Sequence, residues 1–164
     1  MYGSETLCKR EGEHKRSKKV ASINNLASLK QLKTLLLTSN EDIFPEGIFG
    51  AMTQMDFLDL TLTKMQSLPR DMTDMLKLRR LSLECSQLVK IDNSFCNFKN
   101  ITVLKVFKCE MLEELSHLHK LKSVRGLQVF KSSKLRKFSE EFGEIGAFPM
   151  LEIFSLVELE NIEE

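Results

Sequence analysis

The chain has 164 residues, of which 42% are hydrophobic, enough for one domain or a short repeat array with a continuous core and no need of a second. Twenty-four Lys and Arg face twenty-three Asp and Glu. This balance gives no general attraction to nucleic acid or to an anionic membrane, so a partner must be recognised by a local patch.

The first stretch, residues 1–19, is rich in Lys, Glu, Gly and Ser and is expected to be a basic, disordered tail. Cys8 to Lys19 carries six basic and two acidic residues. Without interleaved aromatic side chains, this run suits a solvated end better than a nucleic-acid site. The remainder, residues 20–164, is expected to be a single repeat domain. Ile23, Leu26, Leu29 and Leu32 recur every three residues, the spacing of one helix face, so residues 22–31 are expected to form a convex or capping segment.

From Leu32 onward the pattern apolar-x-x-apolar-x-apolar recurs, starting again at Met55, Leu78, Ile101, Val124 and Leu151. Its central apolar residues are Leu35, Leu58, Leu81, Leu104, Leu127 and Phe154, separated by 23, 23, 23, 23 and 27 residues. Self-similarity at this period is the signature of a leucine-rich-repeat solenoid. The expected fold is therefore an α/β horseshoe of about six repeats, each ~23 residues long, with a parallel sheet on its concave face. A second apolar set returns along the convex side at Ile43, Leu68, Ile91, Leu115, Phe138 and Ile162.

The position closing each strand turn needs a small polar group for the backbone. Here it falls on Asn40, Thr63, Ser86, Cys109, Ser132 and, out of pattern, Leu159. Pro45, Pro69 and Pro149 all lie outside the expected strands, as residues without an N–H must.

Several phrases resemble the leucine-rich-repeat domain of plant intracellular nucleotide-binding disease-resistance proteins. They are Leu32-Lys33-Thr34-Leu35-Leu36-Leu37-Thr38-Ser39-Asn40 with Ile43-Phe44-Pro45; Ser67-Leu68-Pro69; Leu104-Lys105-Val106-Phe107-Lys108-Cys109 with Leu112 and Leu115; and Phe148-Pro149-Met150-Leu151-Glu152. The resemblance spans residues 32–164 and implies a protein-recognition surface that senses a pathogen effector or a guarded host protein. In such receptors this surface also contacts a nucleotide-binding module. No G-x-x-x-x-G-K-[ST] loop is present, so that module has no counterpart in these residues.

Enzyme signatures such as G-x-S-x-G, H-E-x-x-H and G-x-G-x-x-G are also missing, and the expectation is a non-enzyme without cofactor or metal. His117 and His119 sit two apart with no further ligand at metal spacing. Cys85 and Cys109 lie at or just before the turn position, where a small thiol is structural.

Function is expected on the outward-facing strand positions, which line up in columns across the sheet. Phe107, Phe130 and Val157 should adjoin one another, edged by Lys105, Lys108, Lys131 and the more distant Lys134; Gln128 follows Lys105 within the neighbouring column that both share. Asp59, Arg80 and Glu84 are expected to set charge complementarity on earlier strands. Exposed aromatic side chains beside a basic rim anchor protein interfaces, and flanking repeats or a nucleotide-binding module would cover the same surface by protein contact.

The alternatives are a free-standing cytosolic scaffold or signalling adaptor, or the substrate-selecting subunit of a ubiquitin ligase. Four cysteines without a C-x-x-C pair, no apolar signal region and no run near ~18 apolar residues give an expectation of a cytoplasmic or nuclear location, without membrane or nucleic-acid partners.

Overall fold

The computed structural model describes residues 6–9, 30–38, 44, 46–138 and 140–162. Its strands are β1 (Thr6–Lys9), β2 (Thr34–Thr38), β3 (Phe57–Thr63), β4 (Arg80–Cys85), β5 (Val103–Phe107), β6 (Glu114–Leu115), β7 (Gly126–Phe130), β8 (Lys137–Phe138) and β9 (Ile153–Val157). Seven of them form one sheet in the order β1-β2-β3-β4-β5-β7-β9, and every pairing is parallel. The six strands expected from the repeat are all present. Leu35, Leu58, Leu81, Leu104, Leu127 and Phe154 pair in one continuous row.

Alternation explains why these segments are strands. In β2, β4 and β5 every second side chain is buried, so one face supplies the core and the other faces outward. Across β2, β3, β4, β5 and β7 the ten inward Leu and Val residues are at most 4% exposed. Each pair fills the gap between its neighbours, and the core is one ladder running along the stack.

The returns are short 3-10 turns: Arg70–Asp74, Asn93–Asn97, Leu118–Lys120 and Glu140–Gly143. Among the described residues none is an α-helix, so the helical layer of the expected α/β class is reduced to 3-10 turns. The strand and its exit turn use much of a 23-residue step, and the tight 3-10 form suits the short segment left. Met72, Phe95 and Leu118 plug the core from this side. Asp71 ties successive turns together by accepting hydrogen bonds from the backbone N–H of Phe49 (2.8 Å) and Gly50 (3.0 Å). Asp92 caps the second turn through the Ser94 N–H at 2.7 Å. The hydrogen bond from the Ser94 hydroxyl, foremost, holds the Asp92 carboxyl below its usual range. The expected convex set contributes a small second sheet, with Leu115 opposite Phe138.

Two details differ from the sequence expectation. Thr6–Lys9, inside the segment expected to be a disordered tail, pairs in parallel with β2. The other residues of 1–19, most of the 22–31 segment, and Asn40, Ile43 and Pro45 lie outside the described residues.

In the buried turn ladder, Cys85 stands where Ser86 was expected. The row is Thr63, Cys85, Cys109 and Ser132, each 0% exposed, while Ser86 is only half-buried. The reason is local backbone. Lys108, Lys131 and Glu158 leave their strands with φ of 48°, 52° and 54°, inserting one left-handed residue before the turn. A register shift between Thr61 and Thr63 has the same effect in β3. In β4 the turn position is reached one residue early, with no left-handed residue before it.

Candidate functional site

The outward face of the sheet presents the predicted columns in register. Phe107 pairs with Phe130 and Phe130 with Val157; Lys105 pairs with Gln128 and Gln128 with Ser155. The Phe107 and Phe130 rings meet edge to face, 6.5 Å between centroids at 71°, the geometry favoured by the ring quadrupole. Both rings are half-buried, and Val157 beside them is 41% exposed. An apolar strip therefore crosses three strands where outward positions usually carry polar groups.

The strip has a charged rim that the backbone builds. Left-handed geometry at Lys108 and Lys131 turns both residues out of their strands. Lys108 Nζ stands 4.8 Å from the Phe107 ring centroid and 3.5 Å from Glu84 Oε1. Lys131 Nζ stands 3.5 Å from Glu158 Oε2. Both lysine side chains remain about half exposed, at 48% and 46%, with the Lys108 ammonium placed over the Phe107 ring as in a cation–π contact. Exposed ion pairs of this kind contribute roughly 0–1 kcal/mol to folding; they hold side chains in place more than they stabilise the stack.

Of the predicted residues, the fold thus unites Glu84, Phe107, Lys108, Phe130, Lys131 and Val157. Lys105 and Gln128 lie on the same face, one column away. Asp59 accepts a hydrogen bond from the Thr61 hydroxyl on its own strand. Arg80 belongs to a separate cluster: its guanidinium sits 5.0 Å from the Phe57 ring centroid and 3.0 Å from Asp56 Oδ2, and Arg79 Nε lies 3.8 Å from Asp56 Oδ1. Sequence reasoning missed Asp56 and Phe57. The 23-residue step from Phe57 to Arg80 was signal enough to find that pair. Lys134 lies against Met111 Sδ in the turns, away from the strip.

Nothing in this arrangement builds a reactive group. Burial pushes the Cys85 thiol up to about 11 and the Cys109 thiol up to about 12, so both remain protonated and poor nucleophiles at neutral pH. Cys85 Sγ lies 2.9 Å from Thr63 Oγ1, and the Cys85 backbone N–H donates to Cys109 Sγ at 3.5 Å. These are structural contacts. The His117 and His119 rings are 6.3 Å apart, with His119 Nδ1 3.9 Å from Glu141. Among the described residues, no group of three or more His, Cys, Asp or Glu side chains could hold a metal ion. No helix among them is long and apolar enough to cross a membrane. Two open clefts, about 660 and 670 Å³, are lined by turn residues such as Asp92 and Glu113 and by strand-entry residues such as Asp56 and Arg79; neither includes the aromatic strip.

The architecture has solved counterparts. Internalin C2 of Listeria monocytogenes superposes with a TM-score of 0.60 at 14% identity, over 84% of this chain and 57% of that one. The fold is that of the leucine-rich-repeat solenoids. A leucine-rich-repeat protein of Leptospira interrogans superposes at 0.55 with 22% identity, over 82% of this chain and 40% of its own. This leucine-rich-repeat chain therefore spans about two fifths to three fifths of those solved chains. No family model matches the sequence.

Proposed function

We propose that this solenoid is a protein-recognition scaffold that binds its partner on the concave face, with no bond made or broken. The observation that carries the reading is the Phe107–Phe130 pair, half-exposed on adjacent strands and rimmed by Lys108 and Lys131. Half-exposed aromatic rings on a rigid sheet provide contact area at low entropic cost, and the lysine rim favours a partner whose apolar anchor is flanked by acidic groups. A scaffold or adaptor of the signalling type needs no more than this.

A finer reading, the recognition solenoid of a plant intracellular immune receptor, is supported by the resembling unit from Leu104 to Leu115. Its Leu104, Val106, Cys109, Leu112 and Leu115 are all fully buried, so the phrase is used as a working repeat. On that reading the ligand is a pathogen effector or a guarded host protein, the location is cytoplasmic or nuclear, and a nucleotide-binding module is a further partner.

The test is a pull-down from plant cell extract with this chain and a Phe107→Glu/Phe130→Glu variant, both confirmed as folded by circular dichroism. A partner retained by the chain and lost by the variant is expected. Equal retention by both folded proteins would sink the concave-face reading.

A further inference from the structure

The residues leading into the strands form a flank of the solenoid beside the concave face. On the approach to β4, β5 and β7, the same three positions of the 23-residue step supply five cations, Lys77, Arg79, Lys99, Lys122 and Arg125. The other four residues are Leu76 and three uncharged polar ones. No acidic residue falls among the nine, although basic and acidic residues are almost equally frequent in the chain. Each of these three strands has a paired neighbour on both sides, so the exposure of the flank is not that of an end of the stack.

Hydrogen bonds between units hold the flank in place. The Thr102 N–H donates to the Arg79 carbonyl and the Arg125 N–H to the Thr102 carbonyl, each at 2.8 Å; Asn100 Nδ2 donates to the Leu76 carbonyl and Ser123 Oγ to the Lys99 carbonyl, each at 2.7 Å. A surface fixed in this way loses little freedom on binding. Arg79 shares Asp56 with Arg80, and Arg125 pairs with Glu152. The three lysines meet no carboxylate. Lys77 Nζ donates to the neutral Gln54 amide at 2.6 Å and Lys122 Nζ to the Gly146 and Ala147 carbonyls at 3.0 and 3.3 Å. The exposed Lys99 side chain has no hydrogen bond or ion pair among the described residues. Beside these uncompensated charges Leu76 is 67% exposed, and with Lys77, Arg79 and Asn100 it lines the open cleft of about 670 Å³.

We infer that this flank is a second binding surface, which takes an acidic segment of a partner protein with an apolar anchor seated on Leu76 and carboxylates on Lys77, Lys99 and Lys122. Charge complementarity selects the acid, and the exposed leucine selects a protein. Nucleic acid fits less well, because none of the nine residues is aromatic and bases have nothing to stack on. Neighbouring strands lie ~4.8 Å apart, so Leu76, Lys99 and Lys122 span roughly 10 Å, the length of three extended residues. A short segment therefore reaches all of them. The surface is separate from the concave strip and stands or falls independently of it.

The experiment uses the full chain and a fluorescein-labelled synthetic peptide, a central leucine with three glutamates on each side, read by fluorescence anisotropy. Saturable binding that weakens as salt rises is expected. A Lys77→Glu/Lys99→Glu chain should bind at least tenfold more weakly, whereas Lys64→Glu/Lys90→Glu, the same charge change at exposed lysines away from the flank, should shift affinity less than twofold. Leu76→Ser, or glycine in place of the peptide's leucine, should cost severalfold. Circular dichroism checks that each variant is folded, and Phe107→Ala/Phe130→Ala should bind the peptide as the parent does. Absence of saturable binding, equal loss in the two lysine variants, or indifference to the leucine would overturn the proposal. So would tighter binding of a single-stranded oligonucleotide of equal charge, or sedimentation showing a dimer that Lys77→Glu/Lys99→Glu dissociates, which would give the flank to a second copy of this chain.

Discussion

β4 and β9 follow one pattern, an alternation of outward and inward residues, yet they live in different environments. In β4 the inward Leu81 and Leu83 are 1% and 0% exposed; in β9 the inward Phe154 and Leu156 are 47% and 39% exposed. The side chains are equally apolar, so the difference comes from the number of neighbouring repeats. Burial in this fold is a property of the interface between units, and a strand with one neighbour gains about half of what a strand with two gains. The outward aromatic strip runs from β5 across β7 to this edge strand, so it spans both a well-packed and a half-covered part of the stack.

Truncation gives the largest test of that comparison. Leu83→Ala, which opens a cavity between two packed neighbours, is expected to cost about 2–5 kcal/mol in urea unfolding. Leu156→Ala, at the half-covered edge, is expected to cost about 1 kcal/mol or less. Similar losses at both positions would break the argument that neighbours, not sequence pattern, set burial.

Alkaline titration gives a smaller effect confined to the middle units. Desolvation, foremost, raises the Cys85 and Cys109 thiols from 9.0 to about 11 and about 12 in the folded chain. A raised folded value means that the unfolded chain ionises first. The contribution is complete below pH 9 and is lost progressively as pH rises from there through the folded values. The urea midpoint should therefore fall between pH 9 and 12, and a Cys85→Ala/Cys109→Ala variant should show a flatter profile over that window. The same slope in both proteins would place the effect outside the turn ladder.

How legible was all this in the sequence? The sheet was, because a 23-residue step fixes strand position and register from β2 to β7, the Phe107 and Phe130 adjacency follows from it, and the recurring apolar pattern from Leu151 places Val157 beside them after a longer step of 27 residues. The Arg80 contacts with Phe57 and Asp56 obey the same arithmetic. What stayed hidden depends on backbone conformation that residue type does not announce. Lys108, Lys131 and Glu158 adopt positive φ where Gly or Asn would have signalled it, and the Cys85 substitution for Ser86 in the buried row follows from the lack of such a residue in β4. Thr6–Lys9 is too short and too polar for its alternation to stand out from the surrounding charged run.

Native-state hydrogen exchange most directly tests the claim that each unit is held by its neighbours. The backbone amides of β4 and β5 are expected to exchange most slowly, near the global unfolding limit, while those of β9 open first by fraying of the stack. Exchange of β9 at the same slow rate as β4 would contradict the account, showing that the terminal strand is fixed by something other than its single packed neighbour.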